Sequence, residues 1–235
     1  MRARQRHLNA RHAGAMFVLD ARFIEQADNT AVSTWADRSG NGYDVSQATG
    51  ANQPTLQTQE KGGSSIVRFD GTNDFLDRSD TGFPTGDFTF VGVHKSASVT
   101  SSYKPVIHYG SALSGGAVIA QYEATNQFTI SQYGNGLSVS VSADTFIVAS
   151  ANRAGTNYVL RLNGGAEGTK SMTTATTLYG AGGLRIGTTN PSWSPGSSNL
   201  NGDIGVVMLF ASNLATSLRR RLERGCGLTW KIACS

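Results

Sequence analysis

After residue 16, apolar and polar side chains alternate in short runs separated by Gly, Asn, Ser and Asp, the period of half-buried β-strands. The clearest run is "GDFTFVGVHK" (86–95), where Phe88 and Phe90 share one face and Val91 and Val93 the other. Apolar residues on both faces predict a strand covered on both sides. "SSIVRFDG" (64–71) places Ile66 and Arg68 opposite Val67 and Phe69. Further strands are predicted in 16–21, 104–110, 116–123, 127–133, 137–142, 145–152, 157–164, 182–189 and 202–211. Gly and Asn at the junctions supply the positive-φ positions that hairpin turns require. One helix is predicted in "NLATSLRRRLERGCG", where Leu214, Leu218 and Leu222 recur every four residues. Thr216 or Ser217 would cap its start, and Gly225 would end it. Many short strands with frequent turn signals and one helix indicate an all-β sandwich.

Composition agrees with that architecture and changes one inference about charge. Charged residues make up only 15% of the chain and there are 28 glycines, which suits strands and turns more than surface helices. The net charge of +4 is carried by the start of the chain, where Arg2, Arg4, Arg6 and Arg11 occur without an acid. Without those four, 16 basic residues face 16 acidic ones, so the folded domain has no net positive field to grip nucleic acid. The boundaries expected are a flexible basic arm over 1–15 and one domain over 16–235, the arm docking on a partner. That arm lacks the apolar core of a Sec-type signal, and no apolar run is long enough to span a membrane. Cys226 and Cys234 make neither a disulfide framework nor a metal spacing, and their pairing stays open.

The order of several segments carries a resemblance. "FVLDA", "VSTWADRSGNGYDVSQATGANQPT", "IVRFDGTNDFL", "GDFTFVGVHK", "NYVLRLNGG", "GGLRIG", "LNGDIGVVMLFASNLATSLRRRLERG" and "LTWKI" follow one another over nearly the whole chain after residue 16. In this order they resemble the concanavalin A-like, laminin-G-like jelly-roll family. The resemblance implies a two-sheet antiparallel jelly-roll sandwich with a short C-terminal helix. It also implies company among bacteriophage virion proteins and bacterial surface proteins. Fold alone does not set function, since the family includes lectins, lyases, glucanases and structural modules.

The candidate chemistry is sparse. A retaining glycosidase needs paired carboxylates, and the glucanase relatives supply them in an E-x-D-x-E pattern. None of Glu25, Glu60, Glu123, Glu167 and Glu223 has a second acid two or four residues on. A lyase would need His or Tyr, Arg, and Gln or Asn on one face. His108 and Tyr109 are adjacent on a strand and so point to opposite faces, with Arg161 elsewhere. By resemblance, Asn73 and Asp74 lie where some relatives bind calcium, although Ca²⁺ wants six to eight oxygens. No cofactor is expected beyond that calcium. For sugar stacking, Trp193, Tyr133 and Tyr103 sit in loops or at strand ends. Trp35 reads better as an anchor for the loop "TWADRSGNGYD", whose Asp37 and Asp44 can cap its turns.

The reading favoured by these features is a non-catalytic bacteriophage virion protein, such as a capsid decoration or a head-fibre or tail component. Its partners would be other virion proteins, further copies of itself, or host glycans. The first alternative is a carbohydrate-binding module of a bacterial surface protein, placed at the cell surface or outside the cell. A polysaccharide-degrading enzyme is the distant alternative.

Overall fold

The computed structural model of the 235-residue chain describes residues 14–79, 82–84, 86–99, 103–110, 118–123, 126–132, 135–165, 168–171, 183–189 and 198–235. Sixteen strands in these residues form two eight-stranded antiparallel sheets. The first sheet runs β14 (Gly168–Ser171), β13 (Asn157–Leu162), β12 (Ile147–Ala154), β7 (Phe88–Ser96), β16 (Asn201–Phe210), β5 (Ser64–Asp70) and β4 (Thr55–Lys61). Its eighth strand, β1 (Phe17–Asp20), also pairs with β16. The second sheet runs β11 (Asn135–Ser140), β10 (Gln127–Gln132), β9 (Val118–Glu123), β8 (Lys104–Tyr109), β15 (Leu184–Ile186), β6 (Leu76–Arg78), β3 (Val45–Ser46) and β2 (Thr34–Trp35). This is the expected two-sheet sandwich.

Strand β16 serves two neighbours on one edge. Its first half pairs with β5 and its second half with β1, and the register shifts between Ile204 and Val206. Gly205 sits at that shift for a steric reason. A Cβ there would lie 2.6 Å from Nε1 of Trp230, whose ring packs flat on the backbone.

The main core lies between the sheets. Phe17, Leu19, Val67, Phe69, Phe88, Phe90, Val207 and Leu209 of the first sheet meet Trp35, Ile107, Tyr109, Tyr122, Phe128, Ile130, Leu184 and Ile186 of the second. The other face of the first sheet is apolar too. Val18, Val91, Val93, Val148, Val206, Met208 and Phe210 form a second cluster with Leu222, Cys226 and Trp230 of helix α1 (Thr216–Trp230). The two-faced pattern of "FTFVGV" thus follows from its place between the core and the helix.

Helix α1 departs from its expected ends. It starts after Ala215, which gives no side-chain cap, and runs through Gly225 and Gly227 to Trp230, where Lys231 takes the left-handed conformation (φ 50°). Two interior glycines cost about 1 kcal/mol each, and burying Leu222, Cys226 and Trp230 offsets that. Gly227 is needed because a Cβ would meet Sγ of Cys234 at 2.6 Å. Cys226, within the helix, and Cys234, beyond its end, are both thiols.

Charges also lie under α1. Glu223 accepts from Nε of Arg161 at 3.2 Å, has Nε of Arg219 at 3.7 Å, and accepts from the hydroxyl of Ser150. Arg161 also bonds the carbonyl of Gly164, and Arg219 the side chain of Asn152. A guanidinium–carboxylate–guanidinium triad therefore fixes the helix to β12 and β13.

The loop after β1 is organised by one carboxylate. Asp37 accepts from the backbone N–H of Val18 (2.8 Å), Ser39 (2.8 Å) and Tyr43 (3.0 Å) and from the Ser39 hydroxyl (2.7 Å). Asp44 in turn caps the N–H of Asp37 at 2.7 Å. Trp35 is fully buried in the core. The segment is a turn held by side-chain acceptors, as its sequence predicts.

Candidate functional site

Helix α1 covers the outer face of the first sheet, so the two outer faces differ in chemistry. On the second sheet, strand alternation turns Ala120 and Tyr122, Phe128 and Ile130, Ile107 and Tyr109, and Leu184 and Ile186 inward. The residues between them face outward and are polar: Gln121 and Glu123, Thr129 and Ser131, His108, Arg185, and Asp77 beside inward Leu76. Register aligns Asp77, Arg185 and His108 in one row across β6, β15 and β8. A second row aligns Gln121, Thr129 and Ser138 across β9, β10 and β11.

Three of these polar residues are withdrawn from solvent although they face away from the core. His108 is 2% exposed, and Gln121 and Thr129 are each 1% exposed. Thr129 and Ser138 share a hydroxyl–hydroxyl bond of 2.8 Å, and the amide of Gln121 donates to Glu123 at 3.0 Å. The carbonyl Oε1 of Gln121 has no hydrogen-bond partner among the described residues. A buried acceptor left unmade costs roughly 1–3 kcal/mol, which a ligand donor would recover. Arg185 lies 3.3 Å from Asp77 and over the ring of Phe75, 5.4 Å from its centroid. Burial, and secondarily the positive charge of Arg185, push the pKa of His108 down to about 4, so its imidazole is neutral at pH 7. The side chains of this face are thus amide, hydroxyl, imidazole and guanidinium groups, with the Oε1 of Gln121 lacking a hydrogen-bond partner among the described residues, and their chemistry suits sugar hydroxyls.

An open cleft of about 550 Å³ elsewhere is less suited. It is lined by Gly14, Ala15, Met16, Asn41, Tyr43, Gly82 and Ala211. Its Asn41 amide already donates to the carbonyls of Ala15 (3.0 Å) and Met16 (2.9 Å).

The residues singled out from sequence are scattered. Tyr103 is 44% exposed just before β8. Trp193, Tyr133, Arg2, Arg4, Arg6 and Arg11 lie outside the described residues. Asn73 and Asp74 belong to a turn: Asp74 accepts from the N–H of Asp70 at 2.9 Å, and Asn73 donates to Asn52 at 2.9 Å. Burial raises the pKa of Asp74, which opposes the charge a cation would need. Among the described residues no group of three or more His, Cys, Asp or Glu converges as a metal site. His108, Tyr109 and Arg161 face three different surroundings: the outer polar face, the core and the underside of α1. The arginine that neighbours His108 is Arg185, which sequence reasoning missed. Its signal was the alternation in "LRI", which turns Arg185 outward, but pairing with β8 is long-range.

No family model and no curated protein matches the chain. Solved structures do share the fold. A Trypanosoma rangeli sialidase superposes with a TM-score of 0.65 at 15% identity, covering 95% of this chain and 34% of that one. An arabinofuranosidase complexed with arabinofuranosyl-alpha-1,2-xylobiose superposes at 0.65 and 11% identity, covering 85% and 51%. The CBM40 of the Ruminococcus gnavus IT-sialidase, bound to alpha2,3 sialyllactose, superposes at 0.56 and 11% identity, covering 67% of this chain and 95% of that module. The chain thus spans about a third of the sialidase it matches and half of the arabinofuranosidase.

These likenesses correct two expectations. The virion structural role finds no counterpart, because the neighbours are sialidase, arabinofuranosidase and a carbohydrate-binding module. The placement outside enzymes is corrected as well, since sialidases and arabinofuranosidases are glycoside hydrolases that carry this sandwich. The virion expectation leaned on the basic arm, most of which lies outside the described residues, whereas the sandwich is a scaffold that hydrolases use. Neither the laminin-G-like refinement nor the bacteriophage association is carried by these neighbours. What the chain has in common with them is the β-sandwich fold.

Proposed function

We propose that the protein binds a glycan on the outer face of its second sheet, in an extracellular or cell-surface setting. The observation that carries this reading is the row of buried polar side chains on that face, above all Gln121 with its unmet Oε1. The positions are set by strands, so the donors and acceptors are pre-organised and little entropy is lost on binding. The likeness to a carbohydrate-binding module, nearly all of whose length superposes, supports the same reading.

Glycoside cleavage is the second reading, favoured by the likeness to sialidase and arabinofuranosidase chains. On this face it would draw on Asp77 and Glu123. Those carboxylates stand on β6 and β9, three strand spacings or about 14 Å apart across the sheet. Hydrolase pairs stand about 5–10 Å apart, so binding suits the face better.

A glycan array probed with the purified protein tests the proposal. Binding to at least one glycan is expected, weakened about tenfold or more by Gln121→Ala, with the unfolding midpoint of that variant within a few degrees of the parent. Binding that survives Gln121→Ala unchanged refutes the site. Release of sugar from the bound glycan would favour the second reading.

A further inference from the structure

Helix α1 presents a second surface that glycan binding by the sheet does not use. Arg219, Leu222, Glu223, Cys226 and Trp230 are buried against the first sheet. At about 100° per residue, Arg220, Arg221, Arg224 and Leu228 fall within about 100° of arc on the opposite side. All are exposed, Leu228 at 79%. Lys231, also exposed, extends the line beyond the helix end. From Arg220 to Lys231 the rise is about 16 Å. At the end of the helix Arg22, paired with Asp20, lies 4.8 Å over the buried ring of Trp230, and exposed Arg38 lies 4.7 Å over Phe23, which Arg22 also covers.

Counter-charge is what this stripe lacks. Among the described residues none of Arg220, Arg221, Arg224, Lys231 and Arg38 has an ion-pair partner. The acid nearest in sequence, Glu223, is buried beneath the helix and committed to Arg161 and Arg219. The underside of the helix is held by that triad, so the backbone that carries the stripe is fixed to the sheet. We infer that it holds a linear acidic polysaccharide, lying along α1 with its carboxylates or sulfates on the arginines.

Spacing and chemistry favour that polymer. Residues four apart on the helix advance about 6 Å, comparable with the length of one hexose unit. Leu228 offers an aliphatic surface to sugar C–H groups. Single-stranded nucleic acid would want exposed aromatic rings for its bases, and the ring at this end of the helix, Trp230, is buried. The choice of a glycan as the polymer class rests on the function proposed above, but the surface is a separate one.

The test uses polygalacturonate as probe, with dextran as the neutral control and a DNA oligonucleotide as the competing polyanion. The parent is expected to bind polygalacturonate with strong salt dependence and dextran not at all through this face. The triple variant Arg220→Gln, Arg221→Gln, Arg224→Gln is expected to lose about tenfold or more in affinity at about 50 mM salt, with a salt slope shallower by about 2. Its unfolding midpoint should match the parent, since all three side chains are exposed. No binding by the parent, unchanged affinity in the triple variant, or tighter binding to the oligonucleotide overturns the inference. If Gln121→Ala abolishes polygalacturonate binding and the triple variant does not, the inference fails while the sheet site stands. Loss in the triple variant alone supports the inference and leaves the sheet site to stand or fall by the glycan array.

Discussion

Replacing Glu223 by Leu removes the carboxylate that lies between two buried guanidinium groups, those of Arg161 and Arg219. Arg161 and Arg219 have side-chain exposures of 4% and 2%, and Glu223 has 1%. After the change Arg161 keeps its bond to the carbonyl of Gly164 and Arg219 its bond to Asn152, while both lose the carboxylate of Glu223. Two like charges would then share a desolvated layer. Breaking a buried ion pair by deleting one partner costs about 3–5 kcal/mol. For a domain of this size that lowers Tm by about 6–20 °C, since each kcal/mol shifts Tm by about 2–4 °C. Urea denaturation followed by tryptophan fluorescence reads the loss directly, because Trp230 sits on the same helix. Replacing all three (Arg161→Met, Arg219→Met, Glu223→Leu) should recover most of it, because an apolar layer of similar volume carries no desolvated charge. A loss below about 1 kcal/mol for Glu223→Leu, or no recovery in the triple variant, would refute the view that unpaired charge dominates here.

Three shorter predictions follow from the core and the loops. Burial holds the pKa of His94, bonded to the hydroxyl of Tyr122 at 2.8 Å, at about 3, against an ordinary value of 6.5. Between those values the unfolded chain binds the proton and the folded one does not. Stability is therefore fully present above pH 6.5 and falls as pH drops toward 3, by roughly 3 kcal/mol at pH 4.5 from this residue alone. Denaturation midpoints against pH should show that slope, with His108 adding a similar one, and His94→Gln should roughly halve the total; an unchanged slope contradicts the assignment. Gly205→Ala forces a methyl onto the Trp230 indole and should cost about 1–3 kcal/mol in thermal unfolding, whereas a neutral effect would mean the ring can shift. Asp37→Ala strips four donors of their acceptor and should cost about 2–3 kcal/mol without altering glycan affinity, as measured by calorimetric unfolding and binding in parallel.

The strands with an apolar alternation were legible in sequence, and those without one were not. β5, β7, β12, β13 and β16 follow their patterns to within a few residues. β4, with the polar "TQEK", and β14, with "GTKS", are edge strands whose exposed side chains leave no periodic signal. β2, β3 and β6 have only two or three residues each, too few for a period to show. The C-terminal helix was legible in type but not in length. Its buried face uses Arg219 and Glu223, charged residues outside the four-residue leucine period, and its interior glycines look like a stop signal. The candidate site was hidden for a different reason. Gln121, Thr129, His108 and Arg185 are each ordinary residues on the polar side of a strand. Only the pairing of β15 with β8, and of β9 with β10, brings them onto one face. That information is long-range, and no local motif encodes it. By contrast the turn in the "TWADRSGNGYD" loop was legible in Asp37 and Asp44, because most of the donors they cap are local.

The most direct test of the account is to map where a bound glycan touches the protein. With an array-identified oligosaccharide titrated into isotope-labelled protein, the amide resonances of β8, β9, β10 and β15 should shift in a saturable manner, together with the side-chain amide of Gln121. Shifts confined to α1 or to the cleft beside Asn41 and Tyr43, with the second sheet unperturbed, would contradict it.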